Sequence, residues 1–171
     1  ATMEGIYRRR AVWAHAKKSM LFASLQDEAA QELLKQAKLR IAAAGELICR
    51  EGESLPDLIL VRAGFLRVSR RFREQGERVL VYFREGDVFG GLEALEDHAI
   101  PYTVQANTRA ELIRIPGQAL RRVLERFPQA RESLRREVLG AAQAIPLAEG
   151  SLEQGLPRHP QIENTTQPGP S

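Results

Sequence analysis

Two short stretches of this sequence have the shape and spacing for chemistry. Residues 88–95 read VFGGLEAL and residues 99–104 read AIPYTV. A strand end that turns through two glycines into a short apolar helix aims backbone N–H groups in one direction, and such a helix start holds anions, phosphate above all. The charges disagree with that shape. No Arg or Lys occurs from Glu85 to Thr108, while five carboxylates do: Glu85, Asp87, Glu93, Glu96 and Asp97.

Other chemistry is thinly represented. His15, His98 and His159 are scattered, with no second ligand at metal spacing, so no metal site is expected. Cys49 is the only cysteine. It cannot form an intrachain disulfide or hold an iron–sulfur cluster, and it reads as a buried, inert thiol in a strand. No nucleophile–base signature of the G-x-S-x-G or H-E-x-x-H kind is present, so neither an enzyme nor a bound cofactor is expected.

The elements that would position the two stretches follow from periodicity. Ile6, Trp13 and Met20 fall seven apart, among Arg8, Arg9, Arg10, Lys17 and Lys18. This predicts a basic amphipathic helix over 1–21, with one stripe packed and the charges in solvent. A second helix starts near Ser24 and carries Leu25, Ala29, Leu33, Leu34 and Ala37. From Lys38 the pattern changes to short runs of Val, Ile, Leu and Phe, punctuated by Gly45, Gly52, Gly64, Gly76 and Gly86. Leu66 and Val68 alternate with Arg67 and Ser69, as on a half-exposed strand. Such strands predict an antiparallel sandwich or roll. Pro116 opens a further helix with Ala119, Leu120, Val123, Leu124 and Phe127 on its apolar face. Pro128 ends it. A last helix carries the stripe Ala130, Leu134, Val138, Ala141 and Ile145, which runs on past the roll and is expected to serve as a dimerisation or partner-docking face. Residues 146–171 form a polar Gly/Pro-rich tail or linker.

This order of elements resembles the cyclic nucleotide-binding domain family, the β-roll of the cyclic AMP receptor protein and of protein kinase A regulatory subunits. The residues that carry the resemblance are GELICREGE (45–53), LILVRAGFLRVSRR (58–71), RVLVYFREGDVFGGLEAL (78–95) and TVQANTRAELIRI (103–115). The resemblance implies a mainly β fold, an antiparallel double-stranded, jelly-roll-like β-roll with N-terminal helices and two C-terminal helices, spanning 22–145. It also implies a ligand pocket at Phe89, Gly90, Gly91, Leu92, Glu93, Ala94, Ile100, Pro101, Tyr102 and Thr103.

At that pocket the family pattern is F-G-E-(L/I)-A-L followed by P-R-(A/S)-A-(T/S)-V, and the present sequence lies on it without a gap. Phe89, Gly90, Leu92, Thr103 and Val104 keep to it. The chemical positions depart from it. Gly91 stands where a glutamate accepts from the ribose hydroxyl, and Glu93 replaces a small residue beside the phosphate. Ile100 stands at the phosphate arginine. Pro101, which has no N–H, replaces a backbone donor, and Tyr102 replaces an alanine. The resemblance therefore implies a regulatory, sensor or interaction module that keeps the shape of the cassette and lacks its chemistry, and that is not expected to take cyclic AMP or cyclic GMP in the usual way. On this reading, the four substitutions Gly91→Glu, Glu93→Ala, Ile100→Arg and Pro101→Ala would together recover binding.

Two alternatives remain open at this stage. One is a true cyclic nucleotide signalling domain with a rebuilt site, using His98, Arg67 or Arg84 for charge. The other is the sensor half of a transcription regulator whose DNA-binding part is absent, since no helix-turn-helix follows the last helix. Bulk properties fit either. The chain has 171 residues, 43% hydrophobic and 27% charged, and a net charge of +3, too balanced to argue for nucleic acid. Its longest apolar run, Val79 to Phe83, is far short of a membrane span. No signal-peptide pattern opens it, and with one cysteine a cytoplasmic location is expected. Ala1 and Thr2 ahead of Met3 suggest one domain of something larger.

Overall fold

The computed structural model describes residues 27–147. The basic helix expected over 1–21 and the tail from residue 148 lie outside the described residues. In chain order the elements are α1 (Asp27–Lys35), β1 (Lys38–Ala42), β2 (Leu47–Cys49), β3 (Asp57–Ala63), β4 (Leu66–Phe72), β5 (Gly76–Phe83), β6 (Val88–Phe89), α2 (Gly91–Glu96), β7 (Thr103–Ala106), β8 (Ala110–Pro116), α3 (Gly117–Arg126) and α4 (Pro128–Gln143).

The strands form two four-stranded antiparallel sheets, ordered β1-β8-β3-β6 and β2-β7-β4-β5. Burial follows from the two-residue period of a strand. The central strands β3 and β8 are apolar on both faces. Ile59, Val61 and Leu112 join Leu66, Val68 and Val104 of the other sheet in the core between the sheets. Leu58, Leu60, Ile113 and Ile115 point the other way and pack beneath α1, α3 and α4 with Leu33, Leu120, Val123, Leu134 and Val138. The second sheet has one buried face only. On β4, Leu66 and Val68 are fully buried, whereas Arg67 and Arg70 are half-buried and Arg71 is exposed. Ser69 is buried as well, because its hydroxyl donates to Glu77 Oε1 at 2.8 Å.

Ion pairs tie neighbouring elements together within each layer. Asp57, at the start of β3, accepts from Arg114 Nε of β8 at 2.9 Å and pairs with the same guanidinium a second time. Arg126 of α3 reaches Glu32 of α1 at 3.4 Å.

Three sequence expectations need correction here. Pro116 ends β8 and caps α3, which begins one residue later at Gly117; proline's fixed φ suits either position. The stripe on α4 is not left without an intrachain partner. Ala130, Leu134 and Val138 are buried in the core beneath the helices, and Ala141 is half-buried. Ile145 lies beyond the helix, which ends at Gln143, and packs into the core between the sheets. Most of that stripe is thus packed within its own chain. Pro146 and Leu147, placed at the start of the polar tail, are half-buried too.

Candidate functional site

β6 delivers the chain to the cassette by pairing with β3, Ile59 against Phe89 and Leu60 against Val88. Gly90 then makes the turn with φ 80°, a left-handed conformation that costs other residues strain. It also lies so close to β3 that an added Cβ would come within 2.6 Å of the Asp57 carbonyl oxygen and of Leu55. α2 follows for six residues, with the Ala94 amide donating to the Gly90 carbonyl at 3.0 Å. At its far end Arg121 of α3 donates to the Ala94 carbonyl at 2.8 Å. An arginine therefore does touch the cassette helix, but at the carbonyl end, where it steadies the helix rather than serving an anion.

The anion end is built differently from an open seat. Gly91 has an ordinary backbone and is required for space: a Cβ there would stand 2.8 Å from Leu58 Cδ1 and 3.1 Å from both methyls of Val138. The glutamate of the family pattern has no room beneath α4. Glu93 is buried in the first turn of α2. Burial raises its carboxyl above the usual 4.5, and this outweighs its own amide and His98, which pull the other way. A second negative charge brought beside this carboxylate would meet repulsion in a medium that screens little.

Across from α2, Ile100 is fully buried where the phosphate arginine is expected. Its backbone is held by Glu53 and Gly52, the Ile100 amide donating to Glu53 O at 2.9 Å and the Gly52 amide to Ile100 O at 2.8 Å. Pro101 is half-buried. Tyr102 is 2% exposed and meets Phe83 edge to face at 6.2 Å, while Phe83 stacks on Phe89 at 4.9 Å. Burial and then the Glu93 charge push the Tyr102 hydroxyl well above its ordinary range, so it stays protonated, with the Gly90 backbone acting the other way. Thr103 Oγ1 accepts from the Glu51 amide at 3.1 Å. Leu92 is half-buried and Ala94 is buried.

These side chains leave little space. The cavity bounded by Phe89, Gly90, Gly91, Glu93, Tyr102, Val138 and Ile145 measures about 10 Å³. That is room for about one water. The expectation of a loop that kept its shape and lost only its chemistry is thus corrected: the spacing is kept, but Tyr102 and the α4 contact on Gly91 fill the shape. Two of the compensating charges are paired elsewhere, and Arg84 is exposed. Arg67 Nη1 lies 3.9 Å from Glu77. His98 Nδ1 lies 3.5 Å from Glu96 at an exposed position. Sequence reasoning missed the part played by α4 and Ile145, because nothing in the FGGLEAL stretch announces which distant helix will cover it.

Comparison with known proteins agrees with this architecture. The cyclic nucleotide-binding domain family matches residues 39–127, just over half of the chain. The chain belongs to that family. Over 86 residues it is 33% identical to patatin-like phospholipase domain-containing protein 7 of Mus musculus, a stretch amounting to 50% of this chain and 6% of that protein. Over 127 residues it is 27% identical to a cyclic nucleotide-gated channel of Caenorhabditis elegans, covering 69% of this chain and 16% of the channel. Among solved structures, the catabolite activator protein of Thermus thermophilus superposes with a TM-score of 0.64 at 26% identity, over 80% of this chain and 62% of that one. The chain spans only a small part of the curated relatives it matches. Among the described residues, no helix is long and apolar enough to cross a membrane.

Proposed function

We propose that this cyclic nucleotide-binding domain is a non-enzymatic regulatory or interaction module of a larger protein, and that its cassette does not take cyclic AMP or cyclic GMP. The observation that carries this reading is the filled seat, with about 10 Å³ left between Gly91, Glu93 and Tyr102 and no cation facing it from the cassette. A cyclic phosphate in the family's position would have to displace an aromatic ring and sit beside a buried carboxylate. It would do so without the arginine and without the amide that Pro101 lacks. Each missing charge-assisted hydrogen bond withholds about 1.5–3 kcal/mol.

The relatives are consistent with a module that serves a larger chain, since the matched stretch is 6% of the phospholipase-domain protein and 16% of the channel. The test is thermal melting with millimolar cyclic AMP and cyclic GMP. No shift is expected. A rise of several degrees would sink the reading, because any ligand specific for the folded state must stabilise it.

A further inference from the structure

The segment that follows α4 folds back against the cassette and the core between the sheets. After Gln143 the chain turns, with the Ala144 amide donating to Gly140 O at 3.1 Å and the Ile145 amide to Ala142 O at 3.4 Å. Ile145 is 6% exposed. It bounds the small cassette cavity with Phe89 and Tyr102, and it bounds a neighbouring groove of about 290 Å³ with Val81 and Phe83. Leu147 packs against the same core. Its carbonyl oxygen accepts from Arg70 Nη1 at 2.9 Å, on the β4 strand of the opposite sheet.

Residues 144–147 therefore form a strap that runs from the cassette to β4. Alternation on β4 places Arg70 on the same face as the core residues Val68 and Phe72. The Arg70 guanidinium lies 5.8 Å from the Phe72 ring centre, and its Nε faces Glu51 Oε1 at 3.4 Å.

What the strap offers its seat is chemically simple: two aliphatic side chains and one oxygen acceptor on an arginine. We propose that residues 144–147 are a resident occupant of the roll's ligand seat, and that the seat accepts in their place an amphipathic carboxylate, its apolar body against Phe83 and Tyr102 and its head on Arg70. A carboxylate makes a stronger partner for a guanidinium than a neutral carbonyl does, because the bond is charge-assisted on both sides. The groove beside Ile145, apolar along Val81, Phe83 and Val88 and bordered by Asp87 and Glu137, gives the hydrocarbon body a way in. This proposal rests on the reading that the cassette is closed to cyclic phosphates, since it places the anion at Arg70 and away from α2.

The test uses the full chain and the fluorescent fatty acid cis-parinaric acid, with its methyl ester and cyclic AMP as comparison ligands. Weakening the strap by Ile145→Ala with Leu147→Ala should strengthen binding of the acid at least tenfold. Adding Arg70→Gln should remove that gain for the acid and leave the ester unchanged. Equal affinity of the acid for both proteins, or a gain indifferent to Arg70, overturns the proposal. Should the double variant fold poorly, amide exchange on the unmodified chain decides: saturating acid should speed exchange at Ala144 and Ile145, and unchanged exchange under saturation overturns the proposal. Binding of cyclic AMP to the strap-weakened chain, with the acid ignored, would overturn both this proposal and the closed-cassette reading. If neither ligand binds, only the present proposal falls.

Discussion

On the closed-cassette reading, Glu93 is the side chain that opposes a phosphate, and its own burial sets when it is charged. Its carboxylate repels an anion, and its burial in α2 makes its own charge costly. The pH dependence follows. Glu93 titrates above 4.5 in the folded chain and near 4.5 when unfolded, so the folded state holds the extra proton in that interval. Its contribution to stability is full below the unfolded value and is lost as pH rises through the folded one. Glu93→Gln does not titrate. The melting temperature of the variant should therefore gain on that of the wild type as pH rises from below 4.5 to neutrality, and parallel curves would show that the carboxylate is not buried at all. Cys49 offers a second check at this scale. It is 5% exposed, and burial pushes its thiol up to about 12. At pH 8 only about one thiol in ten thousand is then ionised. Iodoacetamide should label the chain only after denaturant is added; rapid labelling of the folded protein would contradict this burial. Residue types at the cassette were legible in the sequence, and so was the burial of Cys49. The space around them was not. Gly91 reads as the loss of a glutamate, whereas in the fold it also sits so close to Leu58 and Val138 that any side chain there requires them to shift. The fourfold substitution written from the sequence would thus drive a glutamate side chain into α4, and it should not recover binding.

Among the elements, the strands were the most readable and the last helix the least. β3 holds an unbroken apolar run, Leu58 to Val61, and β8 buries Leu112 on one face and Ile113 and Ile115 on the other, because both faces of each strand are covered; β4 alternates because only one of its faces is. The glycines expected at the corners, Gly45, Gly52, Gly64, Gly76 and Gly86, all have positive φ. Helix α4 presented a clear stripe, yet periodicity says that a face is apolar and not what it meets. In the fold it meets Gly91, Leu58 and the rest of the helical core. This changes what a substitution there should do. Leu134 is fully buried within its own chain. Leu134→Ala should cost about 2–5 kcal/mol of stability. That is a large share of the roughly 5–15 kcal/mol that a domain has in total. Urea denaturation measures it. A loss under about 0.5 kcal/mol, on the scale usual for surface positions, together with a change from dimer to monomer, would restore the partner-face reading.

For the whole molecule, the proposed reading separates the fold from the family's ligand. Two sheets, a short cassette helix and two closing helices are all in the positions that the family uses, and the order of elements alone was enough to see them. Tyr102, Ile100, Ile145 and Leu147 pack into one core beside the cassette, residues far apart in sequence whose meeting only the three-dimensional packing reveals. The measurement that bears most directly on this is calorimetric titration of the unmodified chain with cyclic AMP. The filled seat predicts no saturable heat up to millimolar ligand. A saturating isotherm with a Kd near 1 μM, about −8 kcal/mol, would mean that Tyr102 and α4 give way to the nucleotide, and the closed-cassette account would be wrong.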